Sequence, residues 1–321
     1  MDALQQFGIS LTQALQVLSP TFDGLMNFFT FLGRVEFYLL IIPFIYWTID
    51  KRMGMRALLI LIFIDIVGMS FKLLFHQPRP YWIGDVKQLA KESSYGIPST
   101  HASDSLAVGG FLAYRINRSW FWVVMSVILF FIGLSRIYLA AHFTHDVLFG
   151  WLIGAIVLWV SLRWGEQTFT SLKSKSLSAQ VVSGFIVSLA VILIGILIRS
   201  FIAGTPDPAS WANYATEARS ISSFFTLSGA LFGAIAGYAI MRKYASFQTS
   251  GSWKQRGLTY LLGILGVAVI YLVLSMAFGL IAPDESAIGY TLRYTRYALV
   301  TFWMTFIAPW IFLKLNLANM E

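Results

Sequence analysis

The sequence predicts an all-α protein, a polytopic membrane bundle of about nine helical spans. Composition is the first indication: of the 321 residues, 57% are hydrophobic and only 12% are charged. A soluble domain carries about 25% charged residues, so the charged fraction here is unusually low. The second indication is the length of the apolar runs, several of which reach the roughly 20 residues that cross a bilayer.

The expected spans are separated by short connecting segments, here called joints, that are charged or contain Gly or Pro. In chain order they cover residues 29–49, 55–75, 101–116, 120–137, 146–164, 178–201, 220–241, 257–281 and 295–316. The third is short, and a half-helix that starts near residue 101 is the alternative to a full span.

The spans fall into two regions, and a third region precedes them. Residues 1–28 come first; their apolar residues recur at helical spacing, which predicts an amphipathic helix on the membrane surface. No basic segment precedes those apolar residues, so we do not expect a cleavable signal peptide. Residues 29–203 form a core that carries every motif described below, and residues 204–321 form an extension with three spans. The polar, Pro-containing stretch 205–220 marks the boundary between them.

One span of the extension repeats glycine every fourth residue, at Gly229, Gly233 and Gly237. Small residues at this spacing share one face of a helix and let a second helix approach closely. We favour packing inside the chain as the explanation, and a homo-oligomer is the alternative.

The cations are distributed unevenly between the two sets of joints. Thirteen of the 23 Lys and Arg residues fall on the joints of one side, and most of the acidic residues fall on the other. Cytoplasmic loops carry the excess of Lys and Arg, so the first side is assigned to the cytoplasm. The N-terminus and the motifs are then expected on the opposite face. The net charge of +8 thus reflects membrane orientation, and we expect no binding to nucleic acid.

The first motif, KLLFHQPRP, begins at Lys72 and ends at Pro80. Lys72 lies at the end of a span, and the prolines on either side of Arg79 take the chain out of the helix. An ammonium and a guanidinium held in this way can bind phosphate, the Arg through two parallel hydrogen bonds. The alternative is that both cations merely extend towards lipid head groups.

The second motif is PSTH, in which Ser99, Thr100 and His101 follow a proline and precede an apolar helix. Ser and Thr cap helix starts, where free backbone N–H groups bind anions. A capped helix does not need a histidine, so His101 indicates chemistry. A histidine at the membrane interface without a catalytic role is the alternative.

The third motif, SRIYLAAHFTHD, contains Arg136, His142 and Asp146. His142 and Asp146 are four residues apart and share a helix face. A carboxylate there can accept the proton of one ring nitrogen and leave the other nitrogen as a nucleophile. We assign no catalytic role to the neighbouring His145 or to His76.

Two acidic residues fall inside expected spans. Asp65 lies two helical turns before Lys72, and Asp104 lies one turn after His101. Acids within a bilayer are costly and normally face the protein interior. Each is expected either to interact with the polar motifs or to form a structural hydrogen bond.

Together the three motifs resemble the signature of the type 2 phosphatidic acid phosphatase (PAP2) superfamily, the group of acid phosphatases and vanadium haloperoxidases. That signature is Lys, six residues and Arg-Pro; Pro-Ser-Gly-His; and Ser-Arg, five residues, His, three residues and Asp. The match covers residues 72–146 and departs from the pattern at Thr100, where most members have Gly. Members that act on sphingoid-base phosphates are similar in having Thr, whereas nine spans with three after the core resemble the glucose-6-phosphatase branch.

The resemblance implies a role for each matching residue. His142 would attack phosphorus and form a phosphohistidine, Asp146 would orient it, and His101 would protonate the leaving oxygen. The remaining matching residues, together with Thr100 at the position that departs from the pattern, would bind the phosphoryl oxygens: Lys72, Arg79, Ser99, Thr100 and Arg136. No metal or other cofactor is expected, because the chain has no cysteine, no coherent cluster of metal ligands and no nucleotide-binding loop.

We therefore expect an integral-membrane, metal-independent phosphatase that hydrolyses a lipid phosphate or pyrophosphate at the non-cytoplasmic face, with the bilayer and the lipid as its partners. Isoprenoid, sphingoid and glycerolipid substrates all remain open. The expected location is a bacterial inner membrane, with the site facing the periplasm or exterior. A lipid-linked phosphotransferase and a sugar-phosphate phosphatase of the glucose-6-phosphatase kind are the alternatives. A transporter or scaffold is disfavoured, because polar residues in the middle of spans are scarce.

Overall fold

The fold is known from a computed structural model that describes residues 2–249 and 251–320. Almost all of this part of the chain is helical. The first eight helices are α1 Ala3–Gln16, α2 Asp23–Leu32, α3 Val35–Phe44, α4 Lys51–Phe75, α5 Pro80–Ile83, α6 Thr100–Ile116, α7 Ser119–Tyr138 and α8 Thr144–Arg163. A π-helical turn, Ile45–Ile49, continues α3.

The second half contains α9 Gly165–Ser174, α10 Leu177–Phe201, α11 Ala212–Ala218, α12 Ser222–Tyr244, α13 Trp253–Gly279, α14 Ala287–Phe302 and α15 Ala308–Lys314. A π-helical turn, Trp303–Ile307, joins the last two helices. Two short strands, β1 Phe247–Gln248 and β2 Asn319–Met320, pair in antiparallel fashion. The predicted fold class, an all-α membrane bundle, is confirmed.

The predicted number of spans is not confirmed. Within the described residues, 7 helices are long and apolar enough to cross a membrane, or 8 if the bent pair Asp23–Leu32 and Val35–Ile49 counts as one span. The two parts of that pair meet at 52° at Gly33 and Arg34, where a continuous span was expected. A Cβ at Gly33 would lie 3.1 Å from His101 and Ile132, so the break occurs where the chain packs tightly. The third expected span, 101–116, corresponds to α6, which has only 17 residues and is not among these candidates.

The chain folds into two compact units. The first contains the residues up to Tyr38, Phe63–Leu162 and Ile196–Ser220; the second contains Leu39–Ile62, Arg163–Gly195 and the residues from Ile221 onwards.

In the first unit, α1 packs through one face. The Thr12 hydroxyl donates to the Ile137 carbonyl, and the Gln16 amide donates to the carbonyls of Tyr138 and Lys87. The helix therefore packs onto the first unit through both polar and apolar residues, with Ile9 buried and Leu15 packed against the core, while Leu4 and Phe7 stay exposed.

In the second unit, α12 packs against α14 along the glycine repeat. A Cβ at Gly229 would lie 2.1 Å from the Tyr294 carbonyl oxygen, and one at Gly233 would lie 2.0 Å from that of Ala298. Only glycine permits so close an approach of two backbones. The glycine repeat therefore serves packing inside the chain, which is the explanation that we favoured from the sequence.

Candidate active site

The residues of the three motifs converge in the first unit. Lys72 lies in the last turn of α4, Arg79 precedes α5, and Arg136 lies in the last turn of α7. Ser99 caps α6, whose first two residues are Thr100 and His101; His142 lies just before α8, and Asp146 lies in its first turn. All three cations are at most 2% exposed. Charges buried so deeply require partners, and those partners define the site.

A tight turn between α7 and α8 orients His142. Ala140 adopts a left-handed backbone (φ 58°), and the N–H groups of Ala141 and His142 both donate to the Arg136 carbonyl, at 3.0 and 3.1 Å. The turn brings the backbone of His142 directly onto the end of the helix that carries Arg136. Two predicted site residues are thereby joined by a single backbone hydrogen bond.

The His142 ring lies between a carboxylate and a guanidinium. Its Nδ1 is 3.3 Å from Asp146 Oδ2, which also accepts from the Phe143 N–H at 2.9 Å. Its Nε2 is 3.1 Å from Arg79 Nη1. A guanidinium only donates, so Nε2 must be the acceptor, and Nδ1 then carries the proton that Asp146 accepts. This tautomer leaves a lone pair on Nε2, as nucleophilic attack requires.

Backbone carbonyls hold Lys72 and Arg79. Lys72 Nζ donates to the carbonyls of Tyr95 and Gly96 at 2.7 and 3.1 Å. Arg79 donates to the carbonyls of Ser94, Tyr95 and Ala141, at 2.6, 3.0 and 2.7 Å. Carbonyl dipoles fix the position of a cation without cancelling its charge. Both cations therefore retain their capacity to bind an anion.

Arg136 is held differently, by an ion pair that the motifs did not predict. Its guanidinium donates to the Glu92 carboxylate and to the Thr30 hydroxyl. Burial by itself raises the pKa of Glu92, but the charges of Arg136, Arg79 and His101 outweigh it and hold that pKa well below its usual value. Glu92 is thus an anion beside the candidate phosphate-binding residues.

Five buried polar atoms of the three motifs have no hydrogen-bond partner within the described chain. Two of them, Thr144 Oγ1 and Asp146 Oδ1, lie at the start of α8, and the other three are Ser99 Oγ, His101 Nε2 and Arg136 Nε. Unpartnered buried polar atoms are rare in native proteins, and a bound ligand is one explanation for them. A hydroxyl, an imidazole and a guanidinium suit the oxygens of a phosphate.

Thr100 and Ser99 are accommodated by glycines on neighbouring helices. The Thr100 methyl group points at Gly68 on α4, where an added Cβ would lie 2.9 Å from it. A Cβ at Gly150 on α8 would lie 2.5 Å from the Ser99 carbonyl oxygen, and the Ser99 N–H donates to the Asp146 carbonyl at 3.0 Å. Gly68 thus makes room for a side chain where most members of the resembled family have none.

The other titratable residues near the site form pairs. Asp65 and Asp104 interact with each other, and Ser103 Oγ donates to Asp104 at 3.0 Å. His145 stacks on Phe143 and lies 3.3 Å from the second oxygen of Asp146. No three His, Asp or Glu side chains of residues 2–249 and 251–320 are grouped as metal ligands.

The electrostatics of the site favour a neutral imidazole at His142. Burial lowers the pKa of His142, and the positive charges of Arg79, Lys72 and Arg136 lower it further. The neutral ring is the nucleophilic form. The charges that lower its pKa are those expected to bind a phosphate.

Comparison with known proteins agrees with this geometry. Residues 54–169 match the PAP2 superfamily, and residues 225–320 match the transmembrane extension of PAP2 superfamily phosphatases. The chain is 28% identical over 186 residues to glucose-6-phosphatase 3 of Bos taurus, covering 50% of this chain and 54% of that protein. It is 31% identical over 142 residues to sphingosine-1-phosphate phosphatase 2 of Mus musculus, covering 42% and 40%.

Among solved structures, the chain is similar to a transmembrane PAP2-type phosphatidylglycerolphosphate phosphatase from Bacillus subtilis. The TM-score is 0.45 at 24% identity, over 52% of this chain and 88% of that one. The chain spans about half, or less, of the length of the two curated relatives. Two matches to models of the same family, separated by residues 170–224, cover the region of the motifs and the spans from α12 onwards. The chain belongs to the PAP2 superfamily.

Proposed function

We propose that this protein is a metal-independent phosphatase that hydrolyses a lipid phosphate or pyrophosphate through a phosphohistidine. One observation carries the proposal: the His142 ring has its Nδ1 on Asp146 and its Nε2 on Arg79. A nucleophile, its orienting carboxylate and a phosphate-binding cation are thus in direct contact. The named phosphatases among the relatives support the same reaction class.

In the first step, a substrate phosphate displaces the contact between Arg79 and Nε2. The Nε2 lone pair attacks phosphorus, the bond from phosphorus to the leaving oxygen breaks, and His101 gives that oxygen a proton. Asp146 stabilises the positive charge that develops on the His142 ring. Lys72, Arg79 and Arg136, with Ser99 and the N–H of Thr100 at the start of α6, stabilise the negative charge on the phosphoryl oxygens.

In the second step, His101 takes a proton from water, and the water oxygen attacks phosphorus. The bond between phosphorus and Nε2 breaks, inorganic phosphate leaves, and His142 regains its lone pair. Each proton that leaves His101 in the first step returns in the second. The cycle requires no group beyond the side chains named.

A lipid substrate follows from where the site lies on the chain. The candidate residues occupy the ends of apolar helices in an integral membrane protein, so a phosphate head group can bind there while its tail stays in the bilayer. The excess of Lys and Arg on the other set of joints supports a non-cytoplasmic site, which in a bacterial inner membrane faces the periplasm.

The decisive experiment measures phosphate release from a panel of substrates by the purified protein in lipid nanodiscs. The panel contains a sphingoid-base phosphate, phosphatidic acid, an isoprenyl pyrophosphate and glucose 6-phosphate. His142→Ala should reduce the release to below about one part in 10⁴. Asp284→Asn is the control, because Asp284 pairs with Arg293 in the second unit. Hydrolysis retained by His142→Ala would exclude the assigned nucleophile.

The orientation is tested with single cysteines, since the chain contains none. Lys91 is exposed in the loop that also carries Glu92, and Lys254 is exposed in a joint assigned to the cytoplasm. In intact cells, a membrane-impermeant maleimide should label Lys91→Cys and spare Lys254→Cys. The reverse pattern would place the site in the cytoplasm.

Similarity to glucose-6-phosphatase 3 makes a sugar-phosphate phosphatase the second candidate. A preference for glucose 6-phosphate over every lipid in the panel would establish it. A phosphotransferase would give a phosphorylated acceptor when an acceptor lipid is added, whereas a hydrolase gives inorganic phosphate.

A further inference from the structure

A segment far from the motifs in sequence packs onto the loop that holds the candidate site. Residues 205–220 connect α10 to α12, include α11, and belong to the first unit. Tyr214 stacks on Trp82, with ring centroids 5.1 Å apart and planes within 6°. Trp211 lies 5.6 Å from Trp82 and 6.3 Å from Tyr95. These aromatic contacts dock the segment against residues 81–95.

A polar contact joins the same two pieces of chain. The Tyr95 hydroxyl lies 3.1 and 3.2 Å from the two carboxylate oxygens of Asp207. Arg219 donates to Asp207 and also to the carbonyls of Ile202 and Thr205. Asp207 is therefore held in place by its own segment while it accepts from Tyr95.

Tyr95 connects this contact to the cations of the site. Its side chain is fully buried, and its carbonyl accepts from both Lys72 Nζ and Arg79 Nη2, at 2.7 and 3.0 Å. One residue thus bonds to Asp207 through its hydroxyl and to two phosphate-binding candidates through its backbone. A shift of Tyr95 would move the acceptor that both cations share.

The Tyr95 hydroxyl is the donor in this contact. Burial raises the pKa of Tyr95, and the negative charge of Asp207 raises it further, so the phenol keeps its proton. Asp207 accepts from both Tyr95 and Arg219.

We propose that Asp207 and Arg219 are positioning residues of the active site, which act through Tyr95 to fix Lys72 and Arg79 for phosphate binding. This inference rests on the proposed function. Long cationic side chains lose conformational entropy when a substrate orders them, and carbonyl acceptors that are already in place reduce that loss. The connection between α10 and α12 is then part of the catalytic apparatus, although it lies outside both segments that match the family.

The test uses Asp207→Asn and Tyr95→Phe in the full-length protein, with inorganic phosphate as the probe. Asp284→Asn is the matched control, because Asp284 pairs with Arg293 at 3.1 Å in the second unit. Binding of phosphate to each variant is measured together with kcat and KM. Misplacement of the two cations should weaken phosphate binding by about 10- to 100-fold and raise KM more than it lowers kcat. The control should bind phosphate as the unaltered protein does.

Hydrogen exchange of the backbone at residues 92–99 separates positioning from simple stabilisation. We expect faster exchange there in both variants, together with the loss of phosphate affinity. Faster exchange with unchanged phosphate affinity would show that the contact stabilises the loop only, and it would overturn the inference. Failure of the unaltered protein to bind phosphate would instead refute the proposed function, and the inference with it.

Discussion

The two units bury positive charge in different ways. In the first, Lys72, Arg79 and Arg136 are almost inaccessible and act together on the pKa of His142. In the second, Arg296 is the buried cation among the described residues. It donates to Ser275 at 2.9 Å and lies over the rings of Tyr271 and Tyr297, at 5.3 and 5.1 Å.

The partners of these cations explain the difference. Arg296 is a single charge that faces neutral groups, so it resembles a cation buried for packing. Its Nε, like that of Arg136, has no hydrogen-bond partner within the described chain, so an unpartnered atom alone does not separate the two units. The three cations of the first unit repel one another, and only Arg136 has a carboxylate as a direct partner. Repulsion of this kind is costly unless an anion relieves it. Concentrated like charge therefore distinguishes a site from a structural contact.

The largest effect is expected for Asp146→Asn. Asparagine has nearly the same shape but no negative charge, and its amide nitrogen donates where the carboxylate only accepts. The His142 ring would therefore lose the interaction that fixes its tautomer and stabilises its positive charge. We expect kcat to fall by about 10³- to 10⁴-fold. Phosphate release and trapping of a labelled phosphohistidine measure the effect. Near-normal activity in a folded variant would exclude the orienting role of Asp146.

Replacement of Arg79 by methionine should have the next largest effect. The change removes the donor to His142 and one of the cations proposed to bind phosphate, and it leaves a long apolar side chain. We expect a loss of about 10²- to 10³-fold in kcat. Arg79→Lys should recover little of it, because lysine lacks the paired N–H groups of the guanidinium. Full recovery with lysine would mean that charge alone matters at this position.

Much of the fold could be predicted from the sequence, since apolar length alone defines a membrane helix. Every expected span corresponds to a helix, but composition could not reveal that Gly33 and Arg34 bend the first one. That bend lies against His101, about 70 residues later in the chain, and a Cβ at Gly33 would lie 3.1 Å from it. The assignment of residues 205–220 to the first unit could not be predicted for the same reason. Local patterns carry no information about which distant segment packs where.

The candidate site was also predictable only in part: contacts between residues close in sequence were predicted, and contacts between distant residues were not. The contact between His142 and Asp146 follows from local spacing and is present, although His142 lies in the turn before α8 and not on the helix itself. The ion pair of Arg136 with Glu92 joins residues 44 positions apart, and no motif indicated it. Gly150 was also missed, although Gly150 and Gly154 form a small-residue spacing like the one noted in α12. That spacing was a signal available in the sequence.

The ion pair gives a prediction on pH. The pKa of Glu92 is lower in the folded protein than in the unfolded chain, so the pair stabilises the fold above about pH 4.3, the usual value for Glu. That stabilisation is lost as the pH falls further towards the folded pKa. The unaltered protein should therefore lose more thermal stability between about pH 5 and pH 3 than Glu92→Gln does. Parallel losses in the two proteins would mean that the pair contributes nothing.

The lowered pKa of His142 has a separate consequence for activity. The His142 ring stays neutral at pH values below the ordinary histidine pKa of about 6.5. On the acid limb of the pH profile, kcat/KM should therefore begin to fall only at a pH lower than about 6.5. Arg79→Met removes the largest of the charges that lower this pKa, so the limb should move towards higher pH in the residual activity. Profiles of kcat/KM against pH, measured with subsaturating substrate, would test the position of this limb and its shift in Arg79→Met. If the limb stays at the same pH in Arg79→Met, the group that titrates is not His142.

The smallest effect is expected for Arg296→Met, the same substitution made in the second unit. Its cation–π contacts are worth about 0.5–2 kcal/mol, and burial of a cation costs a comparable amount, so the free energy of unfolding should change little. Because Arg296 interacts with neutral groups and belongs to the other unit, kcat, KM and phosphate affinity should all stay unchanged. A loss of activity similar to that of Arg79→Met, without loss of stability, would contradict the distinction between the two units. It would mean that Arg296, although it contacts only a hydroxyl and two aromatic rings, also contributes to phosphate binding or hydrolysis.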